Sequence, residues 1–98
     1  MTNDGPDEMR RAADWMQPSD DRILELLREH ELLTPKQVEI LGGPATGTAQ
    51  NRLPMLRKYG LIERVDRGIY RLTDEGRAYL DEELDASRLD PVDDTGEE

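Results

Sequence analysis

Between Arg52 and Arg71 the chain holds six basic side chains: Arg52, Arg57, Lys58, Arg64, Arg67 and Arg71. Only two acids, Glu63 and Asp66, accompany them. That span is net +4 in a chain whose formal charge is −10. A guanidinium presents a fixed fork of N–H donors that fits phosphate, and a local basic patch attracts a polyanion by releasing its counterions. Just ahead of the span lie Thr46, Thr48, Gln50 and Asn51. Asn and Gln amides can pair with adenine through two hydrogen bonds, and Thr can reach a base edge or a phosphate. The chemistry on offer is recognition of a nucleic acid. The competing reading is an ordinary solvated face whose arginines balance nearby acids.

Other chemistry finds little support. There is no Cys, so no thiolate and no disulfide framework. His30 is the only His and falls at the end of a helical stretch, where it complements the dipole rather than a metal. No ligand set of suitable spacing accompanies it. Asp20-Asp21, Glu82-Glu83 and Asp93-Asp94 read as cap or solvation charges. "GGPATG" follows a helix rather than a strand, so it fails the context of a nucleotide loop. The expectation is no enzyme, no cofactor and no metal. No apolar run approaches a membrane span, and "MTNDGPDEMRR" lacks the apolar core of a signal peptide, so no membrane partner and a cytoplasmic location are expected.

The charge is unevenly placed. The basic residues are 11 Arg but only two Lys, Lys36 and Lys58, beside 23 Asp and Glu. Acid-rich, lysine-poor composition suits a protein working in molar salt, where high ionic strength screens self-repulsion. Half of the net charge falls in residues 85–98, which read as an acidic, disordered tail.

The elements that must position these residues follow from periodicity and punctuation. Residues 1–17 form an N-terminal extension. Within it Met9, Ala12, Ala13 and Met16, with Trp15 alongside, predict a short helix stopped by Pro18. Ser19 is a suitable cap for a helix with Ile23, Leu26, Leu27 and His30 on one stripe. "TPKQ" opens a second helix, with Thr34 as cap and Pro35 in the first turn; Val38 and Leu41 face inward and "GGP" stops it. The third helix runs from about 46 to 59, capped by Thr46 and closed by Gly60, with Ala49, Leu53 and Leu56 inward. Pro54 falls inside it, on the opposite side, and implies a kink or an interruption. Two β-prone runs around Asp66-Arg67-Gly68 predict a hairpin over about 62–72. Thr73 caps a last, long helix carrying Gly76, Leu80 and Leu84 and continuing toward Leu89.

Helix, helix, turn, helix, hairpin, helix is a winged helix-turn-helix: mainly α with a small β-hairpin, spanning 18–84. In that frame the third helix suits a major groove and the wing suits phosphates or the adjacent minor groove. The candidate DNA-binding residues are Thr46, Thr48, Gln50, Asn51, Arg52, Lys58, Arg64 and Arg67. "DWMQPSDDRILELLREH", "TPKQVEILGG" and above all "YGLIERVDRGIYRLTDEGRAYL" resemble the winged-helix repressor-like proteins of halophilic archaea, the group related to the phage phi-H repressor. The resemblance covers about residues 10–88. It implies a homodimeric, DNA-binding transcriptional regulator, a repressor, of haloarchaeal origin. The chain departs from the commoner pattern at "GGPATGTAQNRLP", where a Ser- or Thr-led helix without Pro54 is expected. The rival reading is a winged-helix module whose acidic surface binds another protein and never DNA.

Overall fold

The computed structural model describes residues 11–91. Its first helix, α1 (Pro18–His30), starts one residue after Gln17 rather than after Ser19. Pro18 opens this helix instead of closing the preceding segment, because its missing N–H costs nothing in the first turn. Asp20 completes the start by accepting the Gln17 N–H at 3.0 Å. Ile23, Leu24, Leu26 and Leu27 form the buried stripe, whereas His30 is exposed at the helix end. Fully burying one such side chain is worth roughly 1.5–3 kcal/mol, so this stripe anchors the domain.

The second helix, α2 (Pro35–Ile40), begins as expected. Thr34 Oγ1 accepts the Gln37 N–H (3.2 Å), and Gln37 Oε1 accepts the Thr34 N–H (2.9 Å). This reciprocal box satisfies two donors at the helix start. Val38 is fully buried. The turn closes when Gly43 N–H donates to the Val38 carbonyl at 2.8 Å.

The third helix, α3 (Thr46–Lys58), has Ala49, Leu53 and Leu56 on its buried side. Ala45 is the N-cap and Thr46 the first helical residue, so the Thr46 side chain does not cap this helix. Helix α3 continues through Pro54, which is exposed. Proline on the outer side removes one helical hydrogen bond without disturbing the buried stripe. After Gly60, Leu61 N–H closes back on the Leu56 carbonyl at 3.1 Å.

Strands β1 (Ile62–Asp66) and β2 (Ile69–Leu72) pair antiparallel, Ile62 opposite Leu72 and Arg64 opposite Tyr70. A bulge between Arg64 and Asp66 shifts the register before the turn. Gly68 takes φ 70°, a value natural to glycine, which lets the hairpin reverse over Arg67-Gly68. Sequence periodicity did not show that Leu33 adds a third rung: it exchanges two backbone hydrogen bonds of 3.0 Å with Tyr70. The wing is therefore tied to the loop between α1 and α2.

Thr73 caps the last helix, α4 (Asp74–Leu80), accepting Gly76 N–H at 3.1 Å while its hydroxyl donates to the Gly60 carbonyl at 2.6 Å. A Cβ on Gly76 would lie 2.1 Å from the Leu61 carbonyl oxygen, so only glycine lets α4 sit this close to the chain. Helix α4 is shorter than expected. Glu83 N–H reaches back to the Ala78 carbonyl (2.8 Å) with Glu82 at φ 66°, the left-handed stop that ends many helices. Leu84 and Leu89 lie beyond it, half-buried against the core, with one 3-10 turn at Ala86–Arg88 between them.

The chain before α1 also differs from expectation. Residues 11–17 are not helical; they form a strap across the domain. Arg11 pairs with Asp85, and Ala86 N–H donates to the Arg11 carbonyl at 2.8 Å. Ala13 is buried, and Trp15 and Met16 pack against the core. An open strap brings these apolar groups to the domain surface in a way that a helix with its own axis would not. Ala86 is fully buried, so the packed unit continues past Leu84. Met9 and the acidic stretch from residue 92 onward lie outside the described residues.

Candidate nucleic-acid interface

Helix α3 divides cleanly around its axis. Its back, Ala49, Leu53 and Leu56, is 0–1% exposed. Its front carries Gly47, Thr48, Gln50, Asn51, Pro54 and Lys58, all exposed. At about 100° per residue this front is one continuous stripe. It offers amide and hydroxyl groups at the start and an ammonium at the end.

Glutamate 39 fixes how α3 begins. Its Oε1 accepts the Thr46 N–H at 3.0 Å and also the Thr46 hydroxyl. These two bonds from Thr46, the hydroxyl's first, lower the Glu39 pKa. They tie α2 to the N-terminus of α3, and so set the angle of the helix-turn-helix. Because the folded-state pKa is lowered, this tie is present above the ordinary glutamate range and is lost as pH falls through the lowered value. Thr46 is thus a structural anchor, half-buried and engaged from behind.

Arg52 also departs from expectation. It is turned away from the α3 front: Nε donates to Asp20 Oδ1 (2.9 Å) and Nη2 to Asp20 Oδ2 (2.8 Å). Nη2 also donates to the Trp15 carbonyl at 2.9 Å. The Arg52 side chain is 13% exposed and the Asp20 side chain 0%. The Asp20 carboxylate raises the Arg52 pKa further. A cation held in this way is not available to a phosphate, so Arg52 leaves the candidate interface. Asp20 shields it because a buried carboxylate must be paired, and α3 is the helix that brings a cation to it.

On the wing, Arg64 is exposed on β1 and Arg67 is exposed in the loop, where its own N–H donates to Asp66 Oδ1 at 2.7 Å. Arg71 pairs with Glu63 across the hairpin. Arg52 and Arg71 are thus each held by a carboxylate. The same span also carries Arg57, Lys58, Arg64 and Arg67, with Lys58, Arg64 and Arg67 exposed and Asp66 beside Arg67. Helix α3 packs against β1, so the helix and the wing are neighbours in the fold. Among the described residues no group of three or more acidic, His or Cys side chains is placed to hold a metal ion. Among them, too, no helix is long and apolar enough to cross a membrane.

Sequence reasoning missed Glu39, Asp20, Trp15 and Tyr59 as organisers of this site. The signal for Glu39 was weak: an acid seven residues before the first residue of a helix. The Asp20–Arg52 pair spans 32 positions, and Trp15 stacks on Tyr59 from another part of the chain, with ring centroids 4.2 Å apart.

A family model described as winged helix-turn-helix phage repressor matches residues 9–92. The chain is 36% identical over 92 residues to a repressor protein of Halobacterium phage phiH, covering 84% of this chain and 98% of that one. The crystal structure of a PhiH1 repressor-like protein from Haloarcula marismortui superposes with a TM-score of 0.78 at 33% identity, covering 85% of this chain and 97% of the other. Both relatives come from the salt-loving world that the acid-rich, lysine-poor composition anticipates. The helices, the two-stranded wing and these likenesses agree, and the chain belongs to the winged helix-turn-helix phage repressor family.

Proposed function

We propose that this protein is a sequence-specific DNA-binding transcriptional repressor that works in the cytoplasm. Helix α3 enters the major groove and the wing lies along the backbone or in the neighbouring minor groove. The observation that carries this reading is the exposed front of α3, with Thr48, Gln50, Asn51 and Lys58, on a helix that packs against β1, the strand that carries Arg64. Gln50 and Asn51 supply base discrimination, Thr48 a base-edge or phosphate contact, and Lys58 and the wing arginines phosphate attraction. The name of the phage relative, a repressor, supports the sign of regulation. Two-fold operators call for two-fold proteins, so the working form is a homodimer.

Selection from a randomised duplex pool tests the reading. The wild type enriches a defined site. Asn51→Ala relaxes preference at one position of it, by roughly 1–3 kcal/mol, and spares affinity for unrelated duplexes. An unchanged preference profile would remove Asn51 from the reading surface.

The net charge of −10 favours a second reading, a module that binds another protein through its acidic surface. Chromatography on immobilised duplex DNA across a salt series separates the two, since only the first is retained and released by salt.

A further inference from the structure

We propose that the strap 11–17 is a working part of the DNA-reading unit, and that Arg52 is the positioning residue coupling it to α3. This rests on the reading of α3 as the helix that enters the groove. Arg52 immediately follows Asn51, and its guanidinium grips both oxygens of the fully buried Asp20 and the carbonyl of Trp15. Asp20 is itself oriented by the Gln17 N–H at the start of α1. At the C-terminal end of α3, the C-cap Tyr59 stacks on the Trp15 ring with an interplanar angle of 13°.

One residue of the strap thus holds α3 at two places. Arg52 and Tyr59 are two helical turns apart, roughly 10 Å along the axis at about 1.5 Å per residue. Attachment at a single point leaves a helix free to pivot. Attachment at two points, one of them a directional fork, fixes both its slide and its rotation. Paired hydrogen bonds from Gln50 or Asn51 to a base edge depend on that placement to a fraction of an ångström. The fork behind the helix therefore governs discrimination in front of it. Lysine cannot reproduce the fork, because it carries a point charge on a flexible stem. A buried pair is also screened less than a surface one, so this clamp persists in salt that weakens exposed pairs.

The test compares full-length wild type, Arg52→Lys and Trp15→Leu. Binding is measured by anisotropy of labelled DNA, on the duplex selected by the wild type and on an unrelated duplex, over a salt series. Arg52→Lys should bind the selected duplex about tenfold or more weaker, comparable to losing one paired base contact. Its affinity for the unrelated duplex and its salt slope should stay unchanged. Trp15→Leu should lose preference in the same sense and less steeply. Without DNA, emission from Trp15, the only Trp, should shift in Arg52→Lys as the strap loosens.

A lowered melting temperature with the selected-to-unrelated ratio intact, measured well below melting, would make the clamp structural only and overturn the proposal. A parallel loss on both duplexes, with the salt slope reduced by about one, would make Arg52 a phosphate contact and overturn it as well. Should Arg52→Lys not fold, Trp15→Leu decides, and an intact ratio there overturns the proposal. A wild type that binds no duplex overturns the DNA reading and this inference together. A wild type that binds, with both variants unchanged, overturns this inference alone.

Discussion

Arg52 and Arg67 share a residue type and a basic span, yet their surroundings give them opposite tasks. Arg52 faces a buried carboxylate and holds the protein together, whereas Arg67 stands exposed at the tip of the hairpin. If Arg67 contacts phosphate, Arg67→Ala weakens binding to every duplex and reduces the salt slope by about one, with sequence preference kept. A salt titration on an unrelated duplex checks this; an unaltered slope takes the wing tip off the DNA. The residue types were legible in the sequence as a basic cluster next to Thr, Gln and Asn. Which cations turn inward was not legible, because the Asp20–Arg52 and Glu63–Arg71 pairs depend on tertiary placement and strand register.

At the level of elements, most of the fold was written locally. Thr34-Pro35 and Thr73 mark helix starts, Gly60 a stop, and Arg67-Gly68 a hairpin turn, each through backbone chemistry confined to a few residues. The errors fall where distant parts of the chain compete for a segment. Residues 11–17 have helical spacing but gain more by lying flat across the core, and α4 yields at Leu80 to a left-handed stop. Helix α4 makes a sharp prediction. The Cβ of Gly76→Ala would meet the backbone of Leu61, which cannot swing aside as a side chain would. Such overpacking costs about 1–3 kcal/mol, or more where backbone must move. Urea unfolding should show that loss as a lower midpoint. A midpoint equal to wild type would mean that α4 does not sit against Leu61.

At the scale of the whole molecule, charge and assembly are linked. The strap and the segment after α4 are folded onto their own domain: Ala13 and Ala86 are buried, and Trp15, Met16, Leu84 and Leu89 pack against the core. For the homodimer proposed above, the described residues offer Leu32, Ile40 and Val65 as large apolar side chains left substantially exposed. Bringing two chains of charge −10 together is opposed by repulsion that salt screens. Light scattering should therefore give a dimer mass in molar KCl at tens of micromolar protein and a smaller mass as salt is removed. A monomer mass throughout would exclude the homodimer. The pairing of Arg11 with Asp85 has a separate topological consequence. The first and last of the described segments are bonded neighbours, so the order of the elements along the chain is not dictated by their arrangement in space. A circularly permuted chain, joined by a short flexible linker across that pairing and opened at Arg67-Gly68, preserves every helix while cutting the wing at its tip. Covalent continuity of the wing thereby becomes separable from the fold of the body that carries it.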